Sequence, residues 1–356
     1  MTRNLAPWLL AAPLALLIGC QPSPAPESPA TPAAKAALKN MADKDSAKPA
    51  ATAKALPAGC RIAVVPKAIS QQFWTTVRAG AEAAGKEAGV EIIWKGPDVE
   101  TDTTGQKAII EDFVTQKVNA IVMAATSADA LVPTIQKAEE GGVPVVTIDS
   151  GVNWDGVRSL VATDNVAGAK KGGEKLVELI GGEGKVGSIP FVKGAASSED
   201  REKGFADAIA ATGGKVTIVK TLYSNSSIDG GKSVAADMMT AEPDLKGIFG
   251  ANESGAVGAA NAIKAAGKVG KIILVGFDGS PQEVQFLRDG VIQALVLQDP
   301  YNMGYKGVGQ ALKAIRGEPN DKVVDTGVFV LTKENIDSPE ARKLLQESGA
   351  LEAPKQ

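Results

Sequence analysis

The sequence predicts an α/β protein with two doubly wound parallel-sheet domains joined by a three-strand hinge. Three observations carry this. The chain has 356 residues, more than the roughly 250–300 at which a single core stops growing. It is 44% hydrophobic but only 4% aromatic, which suits layers packed from Ala, Val and Ile. From Arg61 onward short β-branched runs alternate with Ala-rich amphipathic stretches, the pattern of parallel strands with crossover helices. That alternation runs through twice, with a changeover near residues 162–165.

Taken in order, the chain opens with MTRNLAPWLLAAPLALLIGC. Arg3 is a positive start, and the apolar stretch over 6–18 is interrupted by two prolines. It is too short for a bilayer, which needs about 20 apolar residues, and it reads as a secretory signal over 1–19. Leu17-Ile18-Gly19-Cys20 resembles the bacterial lipobox. That resemblance implies cleavage before Cys20 and a diacylglycerol on its sulfur; the alternative is an ordinary buried or free cysteine. Residues 21–56 contain 12 Ala and 6 Pro among 36, with almost nothing large to bury, and read as a tether over 20–57. Residues 35–54 offer only transient helix. With Cys20 acylated, Cys60 has no intrachain partner and reads as a small residue at the start of the first strand.

The first round of the body places strands at 61–65, 91–94, 120–123 and 145–148. Helices fall at 73–88, 104–116 and 128–140, the last stopped by Gly141-Gly142 before Val143-Pro144. The second round places strands at 185–189, 217–222, 247–250, 272–275 and 294–297. Helices are expected at 167–180, 200–211, 230–240, 254–266, 282–288 and 302–315, with another opened by Ser338-Pro339-Glu340. The chain crosses between domains near 161–165, 298–300 and 325–328. The expected lobes are 58–163 with 299–327, and 164–298 with 328–356.

In such sheets ligands bind beyond the carboxyl ends of the strands, so the polar residues after each strand are the ones to read. They include Lys67, Asp149-Ser150, Pro190 to Lys193, Tyr223 to Ser226, Asn252-Glu253, Asp278 and Gln298. Amides, carboxylates and cations suit the paired hydrogen bonds of sugar hydroxyls, each of which donates and accepts.

Composition excludes much else. The chain has no His, hence no Ser-His-Asp or Cys-His relay, no His-ligated zinc and no imidazole acid or base. Its net charge is −3, one more negative once Arg3 is removed, with no basic stripe for nucleic acid. No EF-hand-like run is present. Gly231-Lys232-Ser233 imitates the end of a phosphate loop, but Ser226 stands where that pattern needs Gly. No GxGxxG follows the first strand, where Pro66-Lys67-Ala68 stands instead. Asp149 and Asp278 could form a glycosidase pair, since sugar clamps and such pairs look alike in sequence. No cofactor and no metal is expected, and an enzyme is disfavoured.

The run IAVVPKAISQQFWTTVRAGAEAAGKEAGVEIIWKGPD resembles the opening of the type I periplasmic sugar-binding proteins, the ribose-binding group. VPVVTIDSGV, VATDN, DREKGF, IFGANESGAVGA, ILVGFDGSP and VLQDPYNMGYKGVG are similar to that family's motifs, in order and at the right spacing. The resemblance spans roughly residues 61–331. It implies an extracytoplasmic receptor that delivers its ligand to an ABC importer, held at the membrane through Cys20, in the periplasm or on the cell surface. It further implies a monomer that binds a pentose, hexose, deoxyhexose or related sugar, with ABC permease subunits as protein partners and no nucleic acid. A sensory receptor of autoinducer-2 type on the same fold is the alternative. A transcriptional repressor shares the fold but needs an N-terminal DNA-binding segment, where this chain has signal and tether.

Residue by residue, Phe73 and Trp74 match the family's aromatic pair against the sugar ring; the alternative is that one of them is core. Asp149 matches its hydroxyl-binding carboxylate, or caps a helix. Arg201 in DREKGF matches its ligand arginine, or pairs with Asp200 or Glu199 on the surface. Asn252 and Gln298 match amide ligands, and Asp278 in GFDGSP matches the second carboxylate, with an Asx-turn compatible. The chain departs from the ribose pattern at four places. Ser150 replaces a frequent Arg, Lys67 and Gln71 replace Ser and Asn, and Ser226 replaces an aromatic. VPK with WKGPD is similar to rhamnose and autoinducer-2 receptors, in which the Lys reaches the ligand. The implied mechanism is hinge closure over a bound ligand.

Overall fold

The computed structural model describes residues 54–351; Cys20, the signal and nearly all of the tether lie outside the described residues. The first sheet is built by β1 (Arg61–Val65), α1 (Gln72–Ala88), β2 (Glu91–Trp94), α2 (Thr103–Thr115), β3 (Ala120–Met123), α3 (Val132–Glu140), β4 (Val145–Ile148) and β5 (Leu160–Ala162). The chain then builds a second sheet with α4 (Asn165–Leu179), β6 (Gly184–Ile189), α5 (Ala196–Ala210), β7 (Val216–Thr221) and α6 (Ile228–Ala241). It continues with β8 (Leu245–Gly250), α7 (Glu253–Ala265), β9 (Ile273–Phe277), α8 (Pro281–Arg288) and β10 (Ala294–Leu297). It returns to the first sheet as α9 (Pro300–Arg316) and β11 (Val323–Asp325), and ends on the second as β12 (Phe329–Thr332) and α10 (Pro339–Glu347).

The strand orders are β11-β5-β4-β3-β1-β2 and β12-β10-β9-β8-β6-β7. Three short segments cross from one sheet to the other: between β5 and α4, between β10 and α9, and between β11 and β12. Two of these crossings end in helix caps, where Asp164 accepts from Ala167 N and Asp299 from Asn302 N. The carboxylates so placed satisfy first-turn N–H groups that lack partners within the helix.

The interior strands are buried over most of their length, as expected where helices cover both faces. β3 and β4 expose nothing. Helix α9 covers the first sheet beside α1 at very short range: a Cβ on Gly80 would lie 1.9 Å from the Tyr301 carbonyl oxygen, and one on Gly304 2.0 Å from that of Val77. Only glycine permits that approach.

Four details depart from the expectation. The sheets are not wholly parallel, because β12 pairs antiparallel with β10; it enters its sheet directly from the crossing, without a helix to turn it round. β5 and β11 are three-residue strands that pair with each other, too short for a periodic signal. α3 begins at Val132, four residues later than expected, since Pro133 lacks the N–H an interior position needs and occupies the first turn. Finally, the tether's end is fastened: Lys54 N donates to the Arg316 carbonyl at 3.1 Å, and Leu56 packs on the core under α1.

Candidate functional site

The carboxyl ends of the two sheets face one another, and the polar residues that follow the strands meet there. Lys67, after β1, is 3% exposed. Its Nζ lies 2.9 Å from Asp149 Oδ2 and 3.9 Å from Glu100 Oε2, and donates to Ser197 Oγ of the facing lobe at 3.1 Å. Arg201, on α5, donates through Nε to Asn165 Oδ1 and through a terminal nitrogen to the Ala251 carbonyl, both at 2.8 Å. Its other terminal nitrogen is 3.9 Å from Asp149 Oδ1. Two buried cations thus share one buried carboxylate, which keeps them from being stranded without a counter-charge. Aromatic faces complete their surroundings. The Arg201 guanidinium sits 3.8 Å above Phe277, and Lys67 Nζ 4.8 Å above Phe191, both within cation–π range.

The aromatic pair stands at the start of α1. Phe73 and Trp74 meet edge to face, with centroids 4.9 Å apart. Trp74 Nε1 donates to Glu100 Oε1 at 2.9 Å. Trp74 is both core, packed within the cluster under α1, and cavity wall. On the opposite side Asn252 accepts from Gly255 N to cap α7 and donates to Ser226 Oγ at 2.9 Å. Gln298 donates to Asp278 Oδ1.

Backbone strain collects at the same place. Among the described residues, five non-glycine residues have φ in the left-handed region, and four of them are Asp149, Asn225, Ser226 and Asp278. Such conformations persist only where the surroundings enforce them, and they re-aim side chains at functional sites.

Nine of the eleven expected ligand residues line one narrow cavity: Lys67, Gln71, Phe73, Trp74, Asp149, Arg201, Asn252, Asp278 and Gln298. Ser150 and Ser226 are not on its wall. The left-handed turn at Asp149 aims that side chain into the cavity and sends Ser150 to the seam between lobes, where its Oγ accepts from Ser197 N at 3.4 Å. Ser226 Oγ accepts from Gln71 and Asn252 and donates to Glu100, so it braces wall residues from behind.

Three wall residues were not among the expected ligands: Glu100, Phe191 and Glu253. Phe191 and Glu253 lie in post-strand segments already marked as cleft-facing. Glu100 follows β2 by the same rule, applied to a strand whose end had not been read.

The carboxylates carry the site's electrostatics. Burial, then the charge of Asp278, pushes Glu253 up to about 7. Burial likewise raises Asp278, against the pull of Arg201 and the Gln298 hydrogen bond. Behind them Glu283 is raised well above the carboxyl range by burial and by those two neighbours. Burial and mutual repulsion thus make all three weaker acids than exposed carboxyls.

Comparison with known proteins places the fold. A family model described as "Periplasmic binding protein domain" matches residues 62–319. The D-ribose/D-allose-binding protein of Pseudomonas aeruginosa is 34% identical over 284 residues, 76% of this chain and 88% of that protein. Among solved structures, an ABC transporter solute-binding protein from Agrobacterium vitis with bound D-fucose is 42% identical, with a TM-score of 0.77 over 79% of this chain and 98% of that one. A carbohydrate transporter solute-binding protein from Agrobacterium radiobacter in complex with D-arabinose is 34% identical, with a TM-score of 0.78 over 81% of this chain and 99% of that one. The chain belongs to the periplasmic binding protein family, type I.

Proposed function

We propose that this protein is an extracytoplasmic receptor that captures a monosaccharide or closely related ligand between two lobes and presents it to an ABC importer. The observation that supports it best is a set of buried acceptors left without hydrogen-bond partners: Gln71 Oε1, Asp149 Oδ2 and Gln298 Oε1. All three belong to wall residues. Asp149 Oδ2 has the Lys67 charge beside it, yet no hydrogen bond aligned on it. Buried polar atoms are nearly always satisfied, and sugar hydroxyls can donate to all of these. The flat faces of Trp74 and Phe73 suit the C–H face of a pyranose.

The ligand residues we assign are the nine on the wall together with Glu100 and Phe191. The lobes are residues 58–163 with 299–327 and residues 164–298 with 328–351, and they close about the three crossings. Binding, with no bond made or broken, is the whole chemistry. A polar site that leaves its groups unpaired when a hydroxyl is missing discriminates strongly among sugars. Lipid attachment at Cys20 would hold the receptor at the membrane face, and the receptor acts as a monomer.

The test is a thermal-shift screen with pentoses, hexoses, deoxyhexoses, polyols and autoinducer-2, followed by calorimetry. A ligand at 100 times its Kd adds about 2.7 kcal/mol of stability. A clear shift with a sugar is expected; a flat response across the panel would overturn the sugar reading.

A further inference from the structure

Helix α1 begins with its donors exposed. Its N-cap residue, Gln71, makes no side-chain cap: its amide nitrogen donates to Ser226 Oγ, and its Oε1 accepts from no helix N–H. The first N–H groups of a helix need acceptors from outside it. One is supplied from the other lobe: Phe73 N donates to Glu253 Oε2 at 3.3 Å. Glu253 is itself the first residue of α7, and its own N–H donates to Asp278 Oδ2 at 2.8 Å. Two helix N-termini, each carrying partial positive charge, therefore lie next to one another across the seam with carboxylates between them.

The same contact forms a partition. Beside the ligand cavity is a second narrow pocket, roofed by α10 residues such as Leu344. The two share Phe73, Glu253, Asp278 and Gln298 as walls. Release of Phe73 by Glu253 would join the chambers and let the aromatic wall drift from Asp278 and Gln298.

We propose that Glu253 is a positioning residue for ligand capture: it caps α1 from the facing lobe, and this cap, made only when the lobes meet, holds the aromatic wall against the ligand and couples closure to pH. The proposal rests on the receptor reading above. Its pH arm follows from the groups that face Glu253. Asp278 and Glu283 act from its own lobe and Glu100 from the other; their negative charges oppose its ionisation, while the N–H groups of Gln72 and Phe73 favour it. With the lobes apart, the carboxyl meets water and loses the burial that is the main cause of its rise; closed, it is pushed up to about 7. A carboxyl whose pKa rises on closure takes up a proton as the lobes close. Closure is then favoured on the acid side and loses that advantage as pH rises toward and through 7.

The experiment uses the full chain, its Glu253→Ala and Glu253→Gln variants, and the sugar that gives the strongest thermal shift. Calorimetry between pH 5.5 and 8 reads affinity. Nitroxide labels on exposed Glu111 and Lys232, one on each lobe, read lobe separation with and without sugar. Glu253→Ala should widen the separation and weaken sugar about fivefold or more. Glu253→Gln keeps an acceptor for Phe73 N, so it should restore both. Wild-type affinity should fall about tenfold from pH 5.5 to 8, and Glu253→Gln should show a visibly shallower fall, with Asp278 carrying the remainder. Unchanged separation and affinity in Glu253→Ala, or parallel pH profiles for wild type and Glu253→Gln, would overturn the proposal. If no sugar binds but Glu253→Ala still spreads the lobes, the cap stands and the sugar reading falls; if no sugar binds and the lobes do not respond, both fall.

Discussion

Replacing Asp149 by Asn isolates one charge. The two side chains have the same shape, and Asn tolerates the left-handed backbone (φ 56°) at this position. What changes is the counter-ion of two buried cations. Lys67 keeps Glu100 at 3.9 Å. Arg201 keeps its hydrogen bonds to Asn165 and Ala251, but among the described residues it has no second carboxylate within 4.0 Å. Removing one partner of a buried ion pair typically costs about 3–5 kcal/mol. The retained amide oxygen and Glu100 put Asp149→Asn at the lower end, about 3 kcal/mol. The same change removes a charged acceptor from the ligand. Hydrogen bonds to charged groups contribute about 1.5–3 kcal/mol, so affinity should fall roughly 10- to 100-fold. Urea denaturation without sugar reads the first quantity and calorimetry with sugar the second. A destabilisation below about 1 kcal/mol together with unchanged affinity would refute both the shared counter-ion and the ligand role.

Other consequences can be measured directly. Gly80→Ala places a methyl 1.9 Å from the Tyr301 carbonyl; forcing α1 and α9 apart should destabilise the chain by about 2–3 kcal/mol, read as a lower urea midpoint. Glu283→Gln should flatten the pH dependence of unfolding. Its raised pKa means the folded chain holds a proton that the unfolded chain has released above the ordinary carboxyl range. Wild-type stability therefore falls with rising pH by about 1.4 kcal/mol per pH unit for such a group until the raised pKa is passed, and denaturation at pH 6, 7 and 8 would show whether the variant escapes this. Phe191→Leu removes the ring under Lys67 and beside Arg201; a loss of about 1–2 kcal/mol in ligand affinity is expected, and an unaltered calorimetric Kd would assign Phe191 to packing alone.

The parallel strands were legible because each is a short apolar run between turn residues: β1, β2, β3, β4 and β10 span the residues expected of them. The three strands at the crossings were not, since their pairing is decided by where the chain re-enters each sheet. β12 illustrates this: its direction depends on the absence of a helix before it. The cavity was legible through a topological rule and a family resemblance acting on the same loops. Ser150 and Ser226 were expected on the wall and lie off it, because a left-handed turn at a strand end redirects neighbouring side chains by local φ, which residue type alone does not disclose. Glu253 was visible as a post-strand residue, but its reach to Phe73 joins positions 180 residues apart, which no local pattern reports.

Helix α9 also bears on the order in which the chain can assemble. Val308, Ala311 and Leu312 belong to the same buried cluster as Ile62, Val64 and Val146, and Gly304 lies against Val77. The first sheet therefore lacks one of its covering helices until residues 300–316 arrive, after the whole second lobe up to β10 has emerged. A nascent or partly threaded chain that ends before Pro300 carries an apolar sheet face without its cover, whereas the second sheet already has its first five strands. Closing so large a loop last is entropically slow. A chain stopped before Pro300 leaves both lobes incomplete, the first without α9 and the second without the core residues Leu331, Ile336, Ala341 and Leu345, and should be the species that binds chaperones or aggregates.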